Sequence, residues 1–292
     1  MSASVLPSEQ LAVSLSGTQL AATIRAHSAE AAAELTANGT PPKLVVVVAT
    51  DDGSSVWYVR SIAKAAEKAG ITCDIVDLGA TATAQLIHDT LTTLSNDSTV
   101  HGIILQTPLP AGVALPGLAS AIHPAKDVDG ANPTSLGRLA AGFPAFAPAT
   151  AEAVIAILDH YGVELAGRHS VVVGRSTVVG TPLAHLLLAR HSTVTVCHSR
   201  TAVLATHTCL ADVVIAAVGK PGLIGGEHIA SGAVVVDVGT NPTEDGSLVG
   251  DVDAERVGQT AGALTPVPGG VGPVTTALLL RHTVEAARAS VS

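Results

Sequence analysis

Apolar and polar positions along the 292 residues fall into two alternating rhythms. Lys43–Ala49 is a continuous β-branched run, the mark of a strand buried on both faces. Further strands are predicted at Ile71–Leu78 and Gly102–Leu105. Between them the apolar residues recur at helical spacing. A helix from Ser16 to Asn38 is closed by Asn38-Gly39 and stopped by Pro41-Pro42. Ser54 or Ser55 is expected to cap a second helix running to Ala69, with Gly70 as its stop. A third covers about Ala82–Leu94. Strand and helix alternate, so this half is expected to be a parallel sheet with crossover helices.

The rhythm breaks between Gln106 and Gly142. Gln106-Thr-Pro-Leu-Pro110 and Ile122-His-Pro-Ala-Lys-Asp-Val-Asp-Gly130 are too rich in Pro, Gly and Asp for regular structure. A polar loop directly after a parallel strand is where open α/β sheets place ligands. From Thr150 a helix is expected to bridge to a second alternating region. Its strands are predicted at Ser170–Val173, Thr193–Cys197, Asp212–Val218 and Ala233–Val238. Leu264-Thr-Pro-Val-Pro-Gly-Gly-Val-Gly-Pro273 is a stiff loop poor in side chains, and a last helix is expected from Val274 to Ala289.

The turn Gly174-Arg-Ser-Thr-Val-Val-Gly180 follows a predicted strand and opens a helix, so small residues could let a pyrophosphate reach free amides. It lacks the G-x-G-x-x-G spacing and is weak evidence by itself. After the next strand an NAD site usually carries a carboxylate for the ribose hydroxyls. This chain has His198-Ser-Arg200 there, and Arg175 in the first turn. Ser199 and two guanidinium groups suit a 2′-phosphate, so NADP is expected over NAD.

Composition narrows the function classes. The formal charge is −9 with no basic run, which argues against a nucleic-acid partner. Apolar residues make up 47% and charged ones 13%, as in a well-buried soluble α/β protein. Cys73, Cys197 and Cys209 form no C-x-x-C pair, so neither structural zinc nor a disulfide framework is expected. Met1–Gln10 shows no basic region followed by an apolar one, and no run is long enough to span a bilayer. The expectation is a cytoplasmic protein without a bound metal. The twelve histidines are scattered, and most are expected at the surface or at helix ends.

Taken together, these stretches resemble the tetrahydrofolate dehydrogenase/cyclohydrolase family. The resemblance rests on Ser55-x-x-Tyr58-Val59, Gln106-x-Pro-Leu-Pro110, Lys126-Asp-Val-Asp-Gly130, Gly137-Arg-Leu139 and Gly174-Arg-Ser-x-x-Val-Gly-x-Pro182. Cys197-His-Ser, Ala217-Val-Gly-Lys-Pro-Gly222, Asp237-Val-Gly239, Gly250-Asp-Val252 and Thr265-Pro-Val-Pro-Gly-Gly-Val-Gly-Pro273 extend it over nearly the whole chain. It implies an α/β protein of two doubly wound domains with an active-site cleft between them. Residues 1–149 would bind folate, and 150–273 would be a Rossmann-type NADP-binding domain. The final helix would pack back at the seam, and the protein would be a homodimer.

The family oxidises 5,10-methylenetetrahydrofolate with NADP and then hydrolyses the methenyl product to 10-formyltetrahydrofolate. By resemblance, Tyr58 stacks on the folate, Asp129 pairs with its aminopyrimidine edge, and Pro268, Gly269 and Gly270 flank it. Gln106 matches the glutamine that works with the catalytic lysine. Gly174, Arg175, Ser176, Gly180, Ser199, Arg200, Gly239 and Thr240 would form the cofactor side.

One departure bears on mechanism. The family pattern is Tyr-Val-x-x-Lys, and here Ile62 holds the lysine's position. Tyr58 and Ile62 share a helix face. Lys64 is six residues past Tyr58, about 600° around the helix, so it points roughly 120° away. Thr107 replaces an apolar residue, and Ala149-Thr-Ala-Glu-Ala153 replaces the usual Cys-Thr-Pro-x-Gly. Hydride transfer needs alignment and cation stabilisation, whereas hydrolysis needs water activation and proton movement. The expectation is a dehydrogenase with weak or absent cyclohydrolase activity. The alternatives are a fully bifunctional enzyme and a non-catalytic folate- or NADP-binding protein.

Overall fold

The computed structural model describes residues 11–243 and 245–291, so the predicted lack of a leader at Met1–Gln10 lies outside the described residues. The elements are β1 (Val13–Ser14), α1 (Thr18–Ala37), β2 (Lys43–Val48), α2 (Gly53–Lys68), β3 (Thr72–Asp77), α3 (Ala84–Asn96) and β4 (Gly102–Leu105). Next come α4 (Leu115–Ala119), a 3-10 turn at Pro124–Lys126, α5 (Pro133–Ala140) and α6 (Ala149–His160). The chain continues with β5 (His169–Val173), α7 (Gly180–Ala189), β6 (Thr193–Cys197), α8 (Ala205–Thr208), β7 (Val213–Ala216) and β8 (Val234–Asp237). It finishes with β9 (Asn241–Pro242), β10 (Leu248–Val249), α9 (Ala254–Gly258), β11 (Ala263–Leu264) and α10 (Val271–Ala289).

Two parallel sheets result. One has the order β3-β2-β4, the other β1-β11-β8-β7-β5-β6. The inner strands β2, β4, β5, β7 and β8 are buried on both faces, as their unbroken apolar runs require, while the edge strands β3 and β6 are largely exposed. Leu44, Val46, Val48 and Ile104 point from the small sheet into a central core with α1, α6 and α10. Val172, Ile215 and Val236 enter the same core from the large sheet. The alternate residues face outer clusters: Val45, Val47 and Ile103 meet Ile87 and Leu91 of α3, while Val171, Val214 and Val235 meet Ile224 and Val257.

Several boundaries differ from the sequence reading. Asp52, not Ser54 or Ser55, caps α2, because its carboxylate accepts from the Ser55 amide at 2.8 Å. Gln106–Gly142 is less irregular than its composition suggested, since prolines at the first turns of α4 and α5 start those helices. The last helix begins at Val271, inside the Gly/Pro stretch. The two-residue strand β1 joins β11 on the large sheet. A pairing this short carries no periodic signal. Among the described residues, no helix is long and apolar enough to cross a membrane, and no group of side chains is suited to hold a metal ion.

Candidate active site

Three stretches converge beside the central core: α2, the loops that follow β4, and the start of α10. Tyr58 lies on α2, half-buried, with the Thr276 side chain of α10 and the Asp129 carboxylate facing its hydroxyl. Loss of solvent, then the Asp129 charge, pushes its phenol up to about 12, so Tyr58 stays protonated at neutral pH. Gln106 follows β4 directly, and its Nε2 donates to the Thr107 carbonyl at 2.5 Å. Ser55 Oγ donates to the same carbonyl at 3.2 Å, tying α2 to this loop.

Asp129 is held by a tightly built loop. The buried Asp127 carboxylate accepts from the amides of Ala131 and Asn132, both at 2.9 Å. Gly130 has φ +65°, and a side chain there would overlap the Ala147–Pro148 backbone. Asp129 therefore faces the first amide of α6, that of Ala149. Its carboxyl is pushed up to about 7, first by desolvation and then by Asp127, with His282 and the Ala149 amide opposing. The Gly/Pro loop is anchored nearby. Thr265 Oγ1 accepts from the Asp237 amide at 2.7 Å, and the Gly269 carbonyl accepts from the Gly17 amide at 2.9 Å.

The second cluster lies at the carboxyl ends of β5, β6, β7 and β8. Gly174 (φ +129°) ends β5, and a Cβ there would overlap the Ala217 carbonyl. A Cβ on Gly180 would likewise overlap the Gly174 carbonyl. The turn is a bare backbone cradle, and α7 starts on Val179 without a side-chain cap. Ser176 Oγ accepts from the Val179 amide at 3.1 Å, so part of its role is to shape the turn. Arg175, Ser199, Arg200 and Thr240 are exposed around the cradle, while Gly239 is buried. A pyrophosphate fits such a cradle, and mobile cations and a hydroxyl at its rim fit a further phosphate.

Two carboxylates missed by the sequence reading fix the rest of this floor. Asp251, fully buried, accepts from the amides of Val218 (2.6 Å), Gly219 (3.0 Å) and Lys220 (2.8 Å) and from Asn241 Nδ2 (2.9 Å). Asp237 accepts from Gly239 (2.9 Å), Asp251 and Val252 (both 3.0 Å). Desolvation moves its carboxyl to about 6 against these amides. Both residues lie in motifs already singled out, Asp237-Val-Gly239 and Gly250-Asp-Val252, but only the tertiary contacts reveal their work.

The structure brings Tyr58 and Asp129 together and sets Gln106 on the adjoining loop. Pro268 is exposed and Gly270 buried in the anchored loop. Ile62 is 0% exposed and packs in the central core, whereas Lys64 is exposed. His282 is an exception to the expectation that most histidines lie at the surface or at helix ends: it is 2% exposed in mid-helix, bonded to the residue before Asp129. Its place within the apolar run of α10, Ala277–Leu280 and Val284, was the available signal.

A parallel-sheet half built to cradle a dinucleotide, joined to a half that encloses a carboxylate and a phenol, defines a two-part oxidoreductase. The chain belongs to the tetrahydrofolate dehydrogenase/cyclohydrolase family. The model of the family's catalytic domain matches residues 15–129, and that of its NAD(P)-binding domain matches residues 148–291. The "Bifunctional protein FolD 1" of Saccharopolyspora erythraea is 65% identical over 276 residues, covering 94% of both chains. Among solved structures, the bifunctional FolD of Campylobacter jejuni superposes with a TM-score of 0.91 at 39% identity, covering 94% of this chain and 98% of that one. The Trypanosoma brucei methylenetetrahydrofolate dehydrogenase-cyclohydrolase, solved with NADP and an inhibitor, gives 0.92 at 36%, covering 97% and 99%.

Proposed function

We propose that this enzyme oxidises 5,10-methylenetetrahydrofolate with NADP and has weak or no methenyltetrahydrofolate cyclohydrolase activity. Residues 1–149 supply the folate half and 150–273 the nucleotide half, with the final helix packed against the former. The contacts of α10 with α1, α2, β2 and β4 support that division, and its contacts with α6 put it at the seam. NADP, when bound, supplies the hydride acceptor. The Gly174–Gly180 cradle would hold its pyrophosphate, and Arg175, Ser199 and Arg200 its 2′-phosphate.

This chain's own residues then do the following. Asp129, ionised, accepts from the ring N–H and exocyclic amine of the pterin, a bidentate fit that fixes the ring's orientation. Tyr58, neutral throughout the working range, offers an apolar face to stack on. Gln106 lies on the loop beside it, and Gly269 and Gly270 leave room for the ring to approach backbone. Asp129 also places negative charge near the cation that forms as hydride leaves.

The observation that carries the reading of the second activity is Ile62. It occupies the lysine's position and is fully buried in the apolar core, while Lys64 is exposed elsewhere. Without a basic group on that face, water activation loses its general acid–base partner, which typically costs about 10² to 10⁴-fold. A second reading, full bifunctionality, is favoured by the names of relatives up to 65% identical. Following NADPH and methenyltetrahydrofolate together by absorbance decides between them. Methenyl accumulating in step with NADPH supports the loss. NADPH forming without methenyl build-up beyond the uncatalysed hydrolysis control supports bifunctionality.

Ile62→Lys tests the cause: cyclohydrolase rate should rise by about 10² and Tm should fall, because a buried core residue becomes a cation. We also propose a homodimer. The support is β3, a free sheet edge with Ile75 43% exposed, near α2 with Trp57 67% exposed.

A further inference from the structure

His282 sits in the middle of α10 with both ring nitrogens engaged. Nδ1 is 2.8 Å from the Val128 carbonyl oxygen, and Nε2 is 2.9 Å from Glu152 Oε2. A carbonyl oxygen only accepts, so Nδ1 must carry a proton. Glu152 is held below the usual carboxylate range. Burial opposes this, but the His282 hydrogen bond and the charges of His282 and Arg281 outweigh it. An ionised carboxylate also only accepts. Both ring nitrogens thus face acceptors, the arrangement an imidazolium satisfies, and the ring packs at 4.9 Å against Phe146. The second Glu152 oxygen accepts from Arg281, which also approaches Glu285 at 3.4 Å.

We infer that His282 is a positioning residue for Asp129: from α10 it pins the carbonyl of the preceding residue and sets a buried ring with two donors beside the loop that carries the carboxylate. The groups facing Asp129 are Asp127 from its own loop, Tyr58 from α2, the Ala149 amide from α6 and His282 from α10. His282 is the basic group of this set. Facing His282 in turn are Glu152 of α6, Asp127 and Asp129. Loss of solvent and Asp127 both favour the neutral acid at position 129, and His282 works against them. Its role is sharpened by Ile62, which leaves the α2 face beside Tyr58 without a charge.

The inference rests on the folate reading of Asp129, and the test separates the two. The Asp129 carboxyl is titrated in the ligand-free full chain by ¹³C NMR, its signal identified by its loss in Asp129→Asn. His282→Asn removes the ring but keeps a donor for the Val128 carbonyl. It should move the Asp129 midpoint upward by about one pH unit. Glu152→Gln, which weakens the hold on the Nε2 proton, should move it the same way by less, and it carries the test if His282→Asn does not fold. The acid limb of the dehydrogenase kcat/KM profile should shift in parallel, with the deficit shrinking toward high pH. A midpoint unmoved in the folded variants overturns the inference. A moved midpoint with an unmoved activity limb supports the charge coupling and overturns the folate role of Asp129.

Discussion

The two halves of the site are built from different materials. On the side proposed for folate the chemistry sits in the side chains of Tyr58 and Asp129, whose acidities are moved first by burial and then by a neighbouring carboxylate, Asp129 for Tyr58 and Asp127 for Asp129. On the nucleotide side the centre is bare backbone, Gly174 and Gly180, and the charged side chains stand exposed at the rim. Under the proposed function the difference follows from the ligands. A flat, neutral ring edge is selected by a desolvated carboxylate at fixed geometry, whereas a multiply charged phosphate chain is held by amides and flexible cations. One side is fragile to loss of an atom, the other to addition of one.

The largest expected effect tests the first half of that statement. Asp129→Asn leaves the size of the side chain but replaces an acceptor by a donor, so dehydrogenase kcat/KM should fall by about 10² to 10³, in line with the 2–5 kcal/mol of a broken buried charged pair. Stability should move the other way. The folded carboxyl titrates at about 7, above the unfolded value of about 3.9. The folded state therefore holds the proton more tightly, and the stability this gives is lost as pH rises through 7. Thermal melts should show Asp129→Asn above the parent by a few degrees at pH 8.5, the gap narrowing below pH 7 and closing near pH 4. A variant that is inactive yet no more stable at alkaline pH would break the picture of an enclosed, costly carboxylate.

A single added methyl tests the other half. In Gly180→Ala the new Cβ would overlap the Gly174 carbonyl. Overpacking of this kind costs about 1–3 kcal/mol, read as a rise of up to about 100-fold in KM for NADP. Folate binding measured by calorimetry should be nearly unchanged. Equal losses on both sides would mean that the halves are not separable. The smallest effect belongs to the rim. Arg200→Ala should raise KM for NADP about tenfold, near 1.4 kcal/mol, and leave KM for NAD almost unaltered, because NAD has no 2′-phosphate. A similar change with both cofactors would remove Arg200 from 2′-phosphate recognition.

The alternating strands and helices were legible because the inner strands are buried on both faces and helices such as α2 and α3 on one, so their periods differ in sequence. Thr193–Cys197 and Gly102–Leu105 were read to the residue. The helices within 106–142 were not, because Pro and Gly mark turns and first helical turns alike. The folate and cofactor motifs were also legible, since Gly, Pro and Asp at fixed spacing constrain backbone locally. Asp237, Asp251 and Glu152 were visible only as letters in motifs, and His282 not even as that.

The sequence alone determined the rhythm of two parallel sheets, the cradle glycines, the cationic rim and the presence of isoleucine one turn beyond Tyr58. Those are local facts, written in neighbouring residues. Only the tertiary structure decided that Ile62 is wholly buried, that β1 crosses to the large sheet, and that His282, 153 positions after Asp129 by the numbering, stands behind it. Charge, burial and hydrogen-bond partnership depend on what the chain brings near from far away, and desolvation acts on a group only once those neighbours have displaced its water.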